Sequence, residues 1–411
     1  MCHSSISMWG RAILFGFLCM TLFAGIGCKS SSFSTSDQLE YCVRQADIAL
    51  SQVKSDSLFP QNIPLGAENW HYSSRQGWTS GFWPGILWYL YEYTQDNHWK
   101  ASADRFTRAL TPDAYRSGYT HDLGFVLYNS FGRGYEATGN PEYEKVLLAA
   151  ADSLATLFNP KVGTILSWPS MVKKMGWPHN TIIDNMMNLE LLFWAAKNGG
   201  GDRLYKIALA HAVTTMKNQF RADYSNYHVV VYDTADGSVL KKVTHQGYSD
   251  SSMWSRGQAW AIYGFTMVYR ETHQSVFLDF AQHVADIYLK RLPKDMIPYW
   301  DFDAPHDLGC PKDASAAAIT ASGLLELSTY VPDKDKAHAY FNNAVDMLKE
   351  LSSARFQSRK QNDAFLMHST GSKPANSEID IPIIYADYYY LEALLRLRKL
   401  NNNEPLFVDR R

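Results

Sequence analysis

The most constraining feature of this 411-residue chain is an alternation. Apolar periodicity predicts twelve helices, at roughly 38–55, 81–96, 97–110, 122–138, 141–158, 182–198, 202–220, 255–272, 275–292, 313–329, 334–353 and 383–400. The odd-numbered ones are amphipathic with a charged face, as in the run that opens at Pro141 or the one at Lys334. The even-numbered ones are apolar or small on nearly every side: Phe82 to Leu90, Ile182 to Ala196, Ala259 to Tyr269, Ala314 to Leu325, Ile383 to Leu395. A helix apolar all round is buried all round. The chain therefore reads as six pairs, each an outer and an inner helix.

The links alternate as well. Those from an inner helix to the next outer one are a few residues, such as Gly139-Asn140. Those from outer to inner are long: 56–80, 111–121, 159–181, 221–254, 293–312 and 354–382. If six such hairpins close into a ring, every inner helix runs the same way and all six long loops meet at one end. This predicts an all-α fold, an (α/α)6 barrel. An open helical solenoid would show the same alternation, but no fixed-period repeat is readable, which favours the closed ring. Strand signals are few: Tyr227 to Tyr232 and Val239 to Val243. Function is expected at the long-loop end. The N-termini of the inner helices converge there, and their dipoles favour an anionic ligand.

The first residues read as a targeting segment. Arg11 precedes an apolar run from Ala12 to Gly27 that ends at Cys28. The run is short for a membrane span and has the order of a secretory signal. Small residues before Cys28 and the Lys29-Ser30-Ser31-Ser32 that follows resemble a bacterial lipoprotein signal, with Cys28 lipidated; plain export is the alternative. The organisation expected is a signal peptide at 1–27, a short tether at 28–37 and one catalytic domain at 38–411. The location expected is the periplasm of a Gram-negative bacterium, with the membrane touched only through the lipid. Cys42 and Cys310 are too few for a disulfide scaffold.

Composition narrows the function class. Formal charge is −2, which argues against a bulk nucleic-acid binder. Aromatic residues make up 14%, which fits a wide core or a lined cleft. Trp70, Trp78, Trp168, Trp177, Trp254 and Trp300 all fall in the long loops or at the starts of inner helices. Together they suit stacking on a sugar; each alone suits loop packing equally. Asp122 and Asp184 each enter the first turn of an inner helix, and these two helices are ring neighbours. Taken singly, each acid fits a first-turn complement to a helix dipole. In one apolar mouth, however, two carboxyls cannot ionise independently, and one pKa should rise into the range of a general acid. Arg256, in the first turn of an apolar helix, requires an anionic partner: Asp250, one of the acid pair, or a ligand carboxylate. Lys173 and Lys174 face either solvent or a further anionic group. No HExxH, paired CxxC, phosphate loop or GxSxG element is present, and His306 and His368 lack metal-ligand spacing.

Five segments in order, HDLGF at 121–125, TIIDNMMNL at 181–189, THQGYSD at 244–250, WSRGQAW at 254–260 and DYYYLEAL at 387–394, together resemble the unsaturated glucuronyl hydrolases, family 88 of the glycoside hydrolases. The resemblance implies the same barrel and release of a 4,5-unsaturated uronic acid from the non-reducing end of lyase-generated, glycosaminoglycan-type oligosaccharides. The route implied is hydration of the C4=C5 enol ether. By motif, Asp184 is the general acid/base and Asp122 its partner. His121, His228, Thr244, Gln246, Arg256 and Trp260 would bind the unsaturated ring, and Trp78 and Trp168 would stack on the sugars. Ser369 and Ser372 lie in a segment resembling the loop that contacts the second sugar. There Lys373 directly follows Ser372, a spacing that departs from members accepting sulfated sugars. No metal or organic cofactor is implied. Two alternatives remain: an unsaturated rhamnogalacturonyl hydrolase on the same barrel, and a non-catalytic sugar-capture lipoprotein. A sugar epimerase would place paired histidines where this chain has aspartates.

Overall fold

The computed structural model describes residues 33–307 and 309–407. The signal segment and Cys28 lie outside the described residues. One compact unit begins at Ser34.

All twelve predicted helices form. The outer set is α1 (Thr35–Gln52), α3 (Asn97–Ala109), α5 (Pro141–Ala155), α8 (Asp202–Asn218), α10 (Ser275–Arg291) and α12 (Lys334–Leu351). The inner set is α2 (Phe82–Thr94), α4 (124–138), α7 (Asn185–Ala195), α9 (Ser255–Thr272), α11 (Ala314–Ser328) and α13 (Ile384–Asn401). A short extra helix, α6 (Pro169–Lys174), sits in the third long loop. Each inner helix packs on the next around the ring, and α13 returns against α2. That last contact closes the barrel and excludes the open solenoid. Side chains from all faces of the inner helices fill the interior, among them Trp83, Trp260, Tyr388 and Tyr389.

The helix ends differ by position. Outer helices α1, α3, α5 and α12 are capped by the side chains of Ser34, Asp96, Asn140 and Asp333. At the mouth, α2, α4, α7, α9 and α13 begin with no cap from the N-cap side chain; some of their first N–H groups are taken by neighbouring segments instead, as that of Ser255 is by Trp300 O. Deeper in the barrel lies a buried ion-pair network. Arg270 meets Glu190 at 2.5 Å and Glu326 at 2.9 Å, and Arg396 meets Glu326 at 3.0 Å.

The long loops hold most of the strands. In the three-stranded antiparallel sheet, β5 (His179–Ile182) pairs with β6 (Val229–Tyr232), and β6 with β7 (Val239–Val243). Small two-stranded ribbons join β1 (Phe59–Asn62) to β2 (His71–Ser73) and β3 (Phe158–Asn159) to β4 (Thr164–Ile165). The helix expected from 182 begins instead at Asn185, because Ile182 is claimed by β5. Successive loops bond to one another: His121 N–H donates to Ser167 O, Ser255 N–H to Trp300 O, Ala314 N–H to His368 O and Ile63 N–H to Pro382 O. These bonds turn six loops into one rim.

Candidate active site

The two aspartates come together through a close approach of α4 and α7. A Cβ on Gly124 would stand 2.5 Å from Asn188 Cα, so only glycine allows the helices this near. Asn188 then bridges them: its Oδ1 accepts the Phe125 N–H at 2.8 Å, and its Nδ2 points at His121 Nδ1 at 3.5 Å. Just beyond Asp122 the backbone is wound as a π helix over Gly124–Gly132, a form that clusters at functional sites.

Asp184 occupies the N-cap position of α7. Its side chain is 13% exposed and that of Asp122 is 14%, so both carboxyls open onto the mouth through a narrow window. Burial is the largest influence on Asp184 and raises its pKa to about 7; Arg256 opposes the shift and the charge of Asp122 adds to it. Oδ2 of Asp184 has no hydrogen-bond partner within the protein. Asp122 accepts a hydrogen bond from Thr120 Oγ1 at 2.8 Å and faces His121 Nε2 at 3.2 Å.

The pairing of β5 with β6 sets His228 beside Asp184, with Nε2 3.8 Å from Oδ2. The Nδ1 of His228 accepts the backbone N–H groups of His245 and Gln246, each at 3.1 Å. A nitrogen that accepts two N–H groups carries no proton, so the imidazole proton is on Nε2, toward Asp184. Burial pushes the His228 pKa far down, helped by His245 and Arg256, which keeps the ring neutral. Burial also lowers the pKa of His121, against the pull of Asp122. Both rings are almost fully enclosed.

Arg256 is paired in a way the sequence did not disclose. Its partner is neither Asp250 nor one of the acid pair but Asp313, the N-cap of α11, at 2.8 Å. Asp250 instead accepts the Thr244 N–H. The remaining Nη protons of Arg256 go to Thr370 O, Gly371 O and Gln246 Oε1. The guanidinium thus pins the loop that carries Ser369 and Ser372, and its charge still reaches Asp184. Ser369 is fully buried and bridges Ile381 through its backbone, while Ser372 bridges Ser377. Thr244 Oγ1 accepts the Gly247 N–H at 2.8 Å.

The tryptophans divide. Trp78 and Trp168 are half-buried at the mouth; Trp168 meets His228 and His245 edge-on, and Trp78 leans on Tyr385. Trp260 is fully buried beneath, against Phe125 and Tyr389. Trp70, Trp177, Trp254 and Trp300 are each less than 5% exposed. The expectation that all six line a cleft is corrected for these four, which pack loop against loop; Trp177, for example, lies against Ile182, Val229 and Val231. Lys173 and Lys174 are exposed. Cys42 and Cys310 are both free thiols. Among the described residues no three His, Cys, Asp or Glu side chains gather as metal ligands.

Such a mouth, with one carboxyl poised between its two protonation states beside a second carboxyl and an imidazole donor, suits general acid/base work on a bound sugar. The family model for glycosyl hydrolase family 88 matches residues 57–393. The chain belongs to that family. Among its family 88 relatives, an unsaturated glucuronyl hydrolase of Formosa agariphila is 45% identical over 347 residues, 83% of this chain and 85% of the relative. One of Bacillus sp. (strain GL1) is 34% identical over 83% of this chain and 91% of the relative. The crystal structure of an unsaturated glucuronyl hydrolase specific for heparin is 44% identical with a TM-score of 0.84, covering 89% of this chain and 98% of that one. The match to known family 88 barrels and the closed ring agree on the (α/α)6 fold.

Asn188 and Asp313 escaped the sequence reading. Asn188 had a signal: a polar residue four after Asp184, on the same face of an otherwise apolar helix. Asp313 had none beyond its place before a helix.

Proposed function

We propose that this family 88 enzyme is an unsaturated glucuronyl hydrolase. It releases 4,5-unsaturated glucuronic acid from the non-reducing end of lyase-generated, glycosaminoglycan-type oligosaccharides. The observation that carries this is Asp184, a carboxyl raised to about 7 by burial and placed between Asp122 and the Nε2–H of His228. The relatives named above, and a Streptococcus agalactiae relative whose structure holds dGlcA-GalNAc6S, support the substrate class.

The roles follow from position. Trp78 and Trp168 hold the sugar faces. The uncapped inner-helix ends and the Arg256 charge favour the uronate carboxylate. Protonated Asp184 gives its proton to C4 of the enol ether; the C4=C5 π pair forms the new C4–H bond and leaves C5 an oxocarbenium centre, stabilised by the ring oxygen and open to attack. Asp184, now a carboxylate, takes a proton from water as the water oxygen bonds to C5. The C5 hemiketal opens to a ketone, and C1, left as a hemiacetal, then expels the remaining chain as an alcohol. Asp122 and His228 hold Asp184 in place through both half-reactions, while His121 orients Asp122.

We extend the proposal to location: export with lipid on Cys28, on the periplasmic side of a Gram-negative cell. Cys28→Ala would then leave the protein in the soluble fraction.

A substrate panel tests the activity. Unsaturated glycosaminoglycan disaccharides should lose their ultraviolet absorbance in step with release of the second sugar. Saturated counterparts should stay intact, and unsaturated rhamnogalacturonides should react far more slowly. Equal or better rates on the rhamnogalacturonides would overturn the glucuronyl reading.

A further inference from the structure

Two arginines on the rim of the mouth have no part in these roles. Arg75 belongs to the first long loop and Arg116 to the second. Both turn onto one carboxylate oxygen: Oδ1 of Asp113 accepts from Arg75 Nη1 at 2.8 Å and from Arg116 Nη1 at 3.2 Å. Asp113 is buried, and among the described residues it is the one acid within 4 Å of either arginine. A single guanidinium would neutralise Asp113 and tie the two loops, so the second leaves a surplus positive charge. Arg116 lies over Tyr119, 3.3 Å from the ring centroid. A stacked guanidinium spends its face and keeps its edge N–H groups. Among the described residues neither arginine makes a further hydrogen bond, so Nε and Nη2 of both remain as donors. None of these atoms is closed off from solvent.

The backbone around the pair is held in place. Ser80 Oγ donates to Arg75 O at 3.0 Å. On either side of Arg116, Ser153 Oγ donates to Ala114 O at 2.7 Å and Gly118 N–H to Thr156 Oγ1 at 3.0 Å. Donors fixed in this way lose little freedom on meeting an anion. Chain spacing keeps them close to the chemistry. Arg75 stands three residues before Trp78, and Tyr119 three before Asp122; three residues span at most about 11 Å. A glycosaminoglycan carries a uronate at every second sugar, so a chain longer than a disaccharide brings another carboxylate past the mouth.

We propose that Arg75 and Arg116 form an anion site on the rim that takes the carboxylate of the next uronate along the chain, the third sugar. The site gives this enzyme a preference for longer anionic chains over disaccharides. This rests on the glycosidase reading above.

The test compares an unsulfated unsaturated tetrasaccharide, which carries two carboxylates, with the disaccharide, which carries one. The wild type should show the lower KM for the tetrasaccharide. Arg75→Gln leaves Asp113 paired with Arg116, and it should lose about fivefold in KM for the tetrasaccharide while its KM for the disaccharide stays within about twofold. Arg75→Lys, which keeps the charge, should recover most of that loss. The wild-type advantage should also shrink as salt is raised. A tetrasaccharide advantage that survives Arg75→Gln, or a loss shared equally by the disaccharide, would overturn the proposal. If the wild type turns over neither saccharide, the glycosidase reading fails; if it turns over both and their ratio does not move with Arg75, the rim site alone fails.

Discussion

A carboxyl group in water ionises near pH 4; at the head of α7, burial and the charge of Asp122 keep Asp184 protonated up to about pH 7. That poise has a stability cost with a definite sign. Between pH 4 and 7 the folded chain holds a proton that the unfolded chain has lost, so stability falls as pH rises through that window. A shift from 3.8 to about 7, at about 1.4 kcal/mol per unit, sets the cost on the order of 4 kcal/mol. Asp184→Asn should therefore melt several degrees above the wild type at pH 8 and together with it near pH 4, read by calorimetry. Both acids were legible as residues, because each stands at the start of an apolar helix. The partner of Arg256 was not: Asp313 is 57 positions away, and no local pattern separates an N-cap from a counter-ion.

Among the elements, α4 and α7 do the positioning. Gly124 lets them touch and Asn188 ties them, so the spacing of the two carboxyls depends on one amide. Asn188→Ala should lower kcat about tenfold or more and leave KM within about twofold, because the sugar contacts lie elsewhere. A rise confined to KM would instead assign Asn188 to substrate binding. Helices were readable from the chain because their apolar period spans several turns. Four-residue β5 was not, since His179-Asn-Thr-Ile182 gains its strand geometry only from pairing with β6. The π winding after Asp122 likewise has no side-chain period of its own.

At the scale of the molecule, ring closure makes the two ends separable. The mouth carries the chemistry, and the buried network of Arg270, Arg396, Glu190 and Glu326 anchors the inner helices away from it. Glu326→Leu leaves two buried arginines each short of a partner and should cost about 3 kcal/mol. The urea midpoint should fall while kcat of the folded enzyme is kept. Alternating loop lengths announced the barrel, yet the loop-packing role of four mouth tryptophans appeared only with the fold, because burial of a loop depends on its neighbours across the rim.

The central claim is that Asp184 is the acid that protonates the double bond. Its most direct measurement is the pH dependence of absorbance loss from an unsaturated glycosaminoglycan disaccharide, with wild type and Asp184→Asn. General acid action requires the protonated form, so wild-type kcat/KM should decline above an apparent pKa near 7. Asp184→Asn should stay folded, bind the disaccharide and be slower by about a thousandfold. A folded Asp184→Asn that turns over at the wild-type rate would contradict the account.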